Sequence, residues 1–113
     1  MENIIEQLNE EDINFLKTFN TIKKDSFTIL FVTDNTLDSQ NYLISNNQVV
    51  KILPNAIPDK LILLDLVTFK YNIDDKTNLK LLEIANINRQ KTMYAASTAY
   101  ITDLGKRVLN LIK

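Results

Sequence analysis

The chain has 113 residues, 45% of them hydrophobic and 24% charged, with a formal net charge of −1; this is one domain's worth of an ordinary globule, without the 18 or more consecutive apolar residues of a membrane span. It holds neither cysteine nor histidine. That excludes a disulfide framework or thiolate metal site and removes the commonest general base, nucleophile activator and transition-metal ligand together.

The start of the chain, Met1-Glu2-Asn3-Ile4-Ile5-Glu6, is acidic and lacks the basic region and small-residue cleavage site of a secretory signal. The expectation is a cytoplasmic protein with no membrane association and no cofactor. Glu2 to Leu8 reads as a short helix with Ile4, Ile5 and Leu8 on one side. Asn9 then caps a longer helix, whose first turn carries Glu10, Glu11 and Asp12 and whose far end carries Lys23 and Lys24, as the helix dipole favours. Ile13, Leu16, Phe19 and Ile22 keep a three-residue step along it.

Phe27 to Thr33 is short and rich in aromatic and β-branched residues, which predicts a strand. Thr36 is placed to cap a helix from Leu37 to Ser45, and Asn46-Asn47-Gln48 is a polar break. Val49 to Leu53 fits strand or helix, and Pro54-Asn55 ends it. Pro58 suits a first helical position, opening a helix over Asp59 to Leu66 that carries Leu61, Ile62, Leu64 and Leu66. Val67 to Tyr71 alternates as a half-buried strand does, and Asp74 to Asn78 reads as a turn. Leu79 to Ile87 fits strand or helix, and Met93 to Ile101 reads as the returning strand.

The last segment predicts a closing helix, with Thr102 as its cap and Leu104, Val108 and Leu111 at i, i+4 and i+7 as its buried face. Gly105 is the only glycine in the chain and falls in the first turn of that helix. A glycine there costs up to about 1 kcal/mol against alanine, so another backbone is expected to pass close by. No repeat, low-complexity tract or linker interrupts the pattern, which predicts a single α+β domain over residues 1–113.

Two stretches carry a family resemblance: Lys60-Leu61-Ile62-Leu63-Leu64-Asp65-Leu66-Val67-Thr68-Phe69, and Tyr100 to Ile112. The first resembles the end of the third helix of a winged-helix domain and the second its wing exit and closing helix. Together they resemble the carboxy-terminal domains of phage and bacterial exclusion proteins, namely the Abi-alpha abortive-infection family and superinfection-exclusion proteins. The opening, Ile4 to Asp12, is similar to the segment that starts such domains. The resemblance spans the first 18 residues and Ile57 onward. It departs at Leu66-Val67, where many relatives place a glycine before the apolar pair, and over Ser26 to Pro54, where a strand-like run stands in place of helix. It implies a winged-helix-like fold, with N-terminal helices, a β-hairpin wing and a closing C-terminal helix, and a role in mobile-element conflict. It brings no catalytic residues.

One glycine cannot form a phosphate-cradling loop, the acidic runs lack calcium-loop spacing, and no histidine is present to activate the serines. The chain is therefore expected not to be an enzyme. Residues 1–48 carry eight acids against three lysines, and residues 49–113 six acids against ten bases, so the second half is a candidate surface for anions. A DNA-binding winged-helix regulator is the alternative reading, with Lys60 in the third helix, Lys70, Lys76, Arg89, Gln90 and Lys91 in the wing, and Lys106 and Arg107 joining them as candidate phosphate contacts. The sequence pI of 5.3 and the leucines around Lys60 weigh against it. The favoured expectation is a protein-interaction module of an exclusion, defence or host-inhibition system, with a host or phage protein as partner. It would be a monomer, or a homodimer seamed by leucines of the third or last helix.

Overall fold

The computed structural model describes residues 2–33, 39–54, 57–72, 74–88 and 93–112. Its elements in chain order are α1 (Glu2–Glu6), α2 (Glu10–Ile22), β1 (Ser26–Thr33), β2 (Ser39–Ser45), β3 (Gln48–Leu53), α3 (Asp59–Leu63), β4 (Val67–Asn72), α4 (Asp75–Ile84), β5 (Met93–Ile101) and α5 (Asp103–Ile112). The fold is mixed α+β, with one five-stranded sheet in the order β3-β2-β1-β5-β4. The chain divides into two units, each assembled from separated segments: residues 1–26, 58–69 and 99–113 form the first, and residues 27–57 and 70–98 the second.

In the first unit, α2 starts as its sequence dictates. The Asn9 side chain accepts from the Asp12 N–H and the Asp12 carboxylate accepts from the Asn9 N–H, both at 2.9 Å, a reciprocal pair that satisfies two otherwise orphaned amides. Phe15, Leu16 and Phe19 are then buried on one face, and the Phe15 ring centroid lies 6.3 Å from those of Phe19 and Phe69.

Helix α3 ends in a backbone lock. Asp65 takes φ 60°, its N–H donates to the Ile62 carbonyl at 3.0 Å, and the Leu66 N–H donates to the Leu61 carbonyl at 2.9 Å. This is a Schellman closure with Leu61 and Leu66 fully buried as its apolar pair. Aspartate occupies the left-handed position where glycine would be unstrained, as do Lys23, Asn46, Asn47 and Asn86 elsewhere.

The Leu66 carbonyl also anchors α5. It accepts the Thr102 N–H at 3.0 Å, and the Thr102 hydroxyl is 2.7 Å from the Asp65 carbonyl oxygen and 3.1 Å from that of Leu66. The same hydroxyl accepts the Gly105 N–H at 2.9 Å and so caps the helix. A Cβ built on Gly105 would fall onto the Leu66 carbonyl oxygen and lie 2.7 Å from Cγ1 of Ile101. The close backbone expected from the lone glycine is the turn after α3. The buried face of α5 is Gly105, Val108 and Leu109, whereas Leu111 is 59% exposed. Leu111 therefore does not belong to the packed stripe: with Gly105 held against the turn, Val108 and Leu109 are the residues one helical turn on along the same face.

The second unit corrects several expectations. Residues 39–45 are a strand where a helix from Leu37 to Ser45 was expected, while Thr36 and Leu37 lie outside the described residues. Leu43 and Ile44 are adjacent and both buried, so both faces of β2 are covered and the alternation that marks a half-buried strand is erased. β1 and β2 pair antiparallel from Thr28 opposite Ile44 to Thr33 opposite Ser39. β2 and β3 pair antiparallel with Ser45 opposite Gln48, joined by Asn46 and Asn47 at φ 54° and 60°, the two-residue left-handed turn that suits a twisted hairpin.

Asp74 to Asn78 is a helix start and not a free turn. The Asp74 carboxylate accepts from the Lys76 N–H at 3.2 Å and the Thr77 hydroxyl at 2.7 Å, and α4 follows. The expected β-hairpin wing is corrected accordingly, because β4 and β5 are neighbours in the sheet but a ten-residue helix lies between them in sequence. Leu81 and Leu82 of α4 pack with Leu30, Val32, Ile44 and Ala96 of the strands to form this unit's core.

The Gly105 contact yields a prediction whose sign is diagnostic. Gly105→Ala would gain up to about 1 kcal/mol on helix propensity alone, but the steric contact with the Leu66 carbonyl predicts a net loss of about 2 kcal/mol, read as a lower midpoint in urea denaturation.

Candidate interaction surface

Lys60 is tied into the first unit. Its Nζ donates to the Gln7 carbonyl at 2.9 Å and lies 3.4 Å from Oδ2 of Asp12, whose side chain is only 2% exposed. It staples α3 to the end of α1 and the start of α2. Lys106, on the first turn of α5, pairs with Asp25 at 2.9 Å. The hydrogen bond to the Asp25 carboxylate, and then its charge, raise the Lys106 amine above the ordinary lysine value. Because the shift is upward, whatever stability the Lys106 ammonium contributes in this exposed pair is present at neutral pH and is lost as pH climbs past that raised value.

Arg107 on α5, Lys70 on β4 and Lys76 in the first turn of α4 are exposed. Lys76 sits at the helix end where the dipole disfavours a cation. Arg89, Gln90 and Lys91 lie outside the described residues. Lys60, Lys106 and Arg107 thus belong to one unit and Lys70 and Lys76 to the other, with acids already beside two of the five.

Among the described residues of the first unit the most exposed large apolar side chain is that of Leu63, at the end of α3. The closure of α3 directs Leu61 inward at 0% exposure and leaves Ile62 at 47% and Leu63 at 83%. Successive helical positions turn by about 100°, so burying Leu61 on a helix this short necessarily presents the next two residues elsewhere. In the second unit the edge strand β3 exposes Val50 and Ile52. That edge is blunted by the irregular register at Leu43/Ile44, by Lys51 within the strand and by Pro54 directly after it, devices that oppose pairing with another chain.

A cleft of about 370 Å³ lies in the first unit, formed by the end of α2, the entry to β1, the end of β5 and α5. Buried Phe19, Ile101 and Leu109 line it, together with Lys23, Lys24, Asp25 and Lys106. Of its charged residues the sequence singled out only Lys106 as a contact. Lys23 and Lys24 read simply as helix-end cations, and no local pattern indicates that β5 and α5 return beside them.

Among the described residues no group of three acidic side chains is arranged to hold a metal ion, and no helix is long and apolar enough to cross a membrane. Asp12 at the α2 start has a structural role: it is buried, accepts the Asn9 N–H and pairs with the Lys60 ammonium. Asp12→Ala is expected to cost about 2 kcal/mol, since it strips a cap and leaves polar groups unpaired. Lys60→Met, removing the half-exposed partner, should cost no more than about 1 kcal/mol in the same urea titration. No family model matches the chain, and neither a curated protein nor a solved structure matches it.

Proposed function

We propose that this chain is a non-enzymatic protein-interaction module that engages another protein through the apolar end of α3. The observation that carries the reading is the exposure of Ile62 and Leu63 beside fully buried Leu61. Their backbone is fixed by the Schellman closure and by Thr102, so binding through the two side chains carries little backbone ordering cost. Contiguous exposed apolar surface marks partner sites, and Ile62 and Leu63 are adjacent in the chain. The absence of histidine and cysteine from the sequence supports a binding role over a chemical one.

The finer reading places the module in a phage or mobile-element exclusion, defence or host-inhibition system, acting in the cytoplasm. It draws on the resemblance of Lys60 to Phe69 and Tyr100 to Ile112 to exclusion-protein domains. The order β1-β5-β4, with α2 before it and α5 closing it, supports a winged-helix-like core. Among the described residues α3 is the one helix between β1 and β4, and five residues are short for the recognition helix that a helix-turn-helix places in the major groove. That short helix, with Lys60 already bound to Gln7 and Asp12, favours a protein partner over DNA.

Two measurements test this reading together. Leu63→Ser is expected to leave the urea midpoint unchanged and to abolish association, whether with a second copy in light scattering or with a host protein in affinity capture. A generic DNA duplex at low salt is expected to show no mobility shift at micromolar protein. A shift that collapses as salt rises would establish the nucleic-acid reading instead.

A further inference from the structure

We infer that the outer edge of β4 takes up an extended segment of another protein as a sixth strand of the five-stranded sheet, one with an acidic side chain opposite Lys70 and an aromatic or β-branched one opposite Tyr71. This contact is separate from the one proposed for α3 and does not depend on it. The sheet ends in β3 on one side and β4 on the other, and the two edges are not alike. β3 pairs with an irregular register and is followed by Pro54. β4 reads Val67-Thr68-Phe69-Lys70-Tyr71-Asn72, mostly β-branched and aromatic, with neither proline nor glycine.

One hydrogen bond sets the direction of the β4 backbone. The Leu66 carbonyl accepts the Thr102 N–H just past the end of β5, so it points toward β5, and the Val67 N–H across the same trans peptide points away. Alternation along the strand then turns the N–H and C=O groups of Phe69 and Tyr71 outward as well. Among the described residues no backbone hydrogen bond outside the sheet involves either of them. Val67 is fully buried and Tyr71 is 78% exposed, so the strand opens toward its Tyr71 end. Outward backbone groups on an open edge are a template for a further strand.

Lys70 decides which strand fits. It is exposed, and neither ion pair among the described residues includes it. Against a strand added outside, Tyr71 falls in a hydrogen-bonded pair and Lys70 in a non-hydrogen-bonded one, where facing side chains approach more closely. A carboxylate opposite Lys70 is attracted there and a second lysine is repelled. β4 contains no acidic residue, so edge-to-edge pairing with a second copy leaves Lys70 uncompensated. A segment carrying glutamate or aspartate at that place compensates it.

The test uses the full chain, isotope-labelled for amide NMR, with the capped peptide TVYETV as probe. Antiparallel pairing of its tyrosine with Tyr71 sets its glutamate opposite Lys70. Saturable shifts are expected at Phe69, Lys70 and Tyr71, with slower hydrogen exchange at the Phe69 and Tyr71 amides. Tyr71→Pro removes an outward N–H and no bond to β5, so the urea midpoint should hold while affinity falls about tenfold. TVYKTV should bind about fivefold more weakly than TVYETV. The probe N-methylated at its tyrosine and second threonine keeps every side chain but loses the donors that pair with β4, and should not bind.

No saturable shift at millimolar peptide, equal affinity for the N-methylated probe, or shifts at Val50 and Ile52 instead would overturn the inference. So would a dimer in light scattering whose Tyr71 amide is protected without peptide, since a second copy would then hold the edge. Shifts confined to Ile62 and Leu63 would overturn it too, while leaving the proposed binding role of α3 standing.

Discussion

A single carbonyl organises the first unit. The Leu66 oxygen ends the turn after α3, receives the Thr102 amide and lies against Gly105 so closely that no side chain fits between them. Thr102 binds in both directions, its hydroxyl reaching back to the α3 turn and its oxygen receiving the Gly105 amide in the first turn of α5. Backbone therefore meets backbone over a few ångströms, and the geometry on either side is fixed by hydrogen bonds whose partners are 36 or more residues apart in sequence.

The apolar end of α3 and the cleft both descend from that junction. Three residues before Leu66 stands Leu63, directed outward because Leu61 and Leu66 are drawn inward by the Schellman closure. Immediately after Gly105 stands Lys106, and one turn further Leu109, which line the cleft against the end of α2. Asp25 contributes its carbonyl to the Ile101 amide at 3.0 Å and its carboxylate to Lys106, so the cleft is held by the same strand end that leads into the junction. Lys23 ends α2 through its own backbone, whose N–H donates to the Phe19 carbonyl, and also lines the cleft.

Much of the first unit was legible in the sequence because its signals are local. Asn9 followed by Asp12, Thr102 followed by Gly105, and a solitary glycine in a helical first turn each specify a hydrogen bond or a contact within a few residues. The second unit hid its structure for two reasons. Tyr42, Leu43 and Ile44 lie on a strand covered on both faces, so no period of two survives, and Asn46-Asn47 carries the left-handed hairpin turn without the glycine that usually announces it. Asp74 to Asn78 was ambiguous by nature, since the side chains that cap a helix also stabilise turns. Of the candidate contacts, Lys60 looked like a lone base among leucines. Its partners Gln7 and Asp12 are far away in sequence, and only the packing of α1, α2 and α3 brings them to it.

Native-state hydrogen exchange at the Thr102 and Gly105 amides tests the central claim most directly. If the Leu66 junction is the fixed point of the first unit, both amides should exchange only when the chain unfolds as a whole, with the same free energy that denaturant unfolding returns. Exchange of either amide through a local opening several kcal/mol less costly, with β1 and α2 still protected, would contradict it.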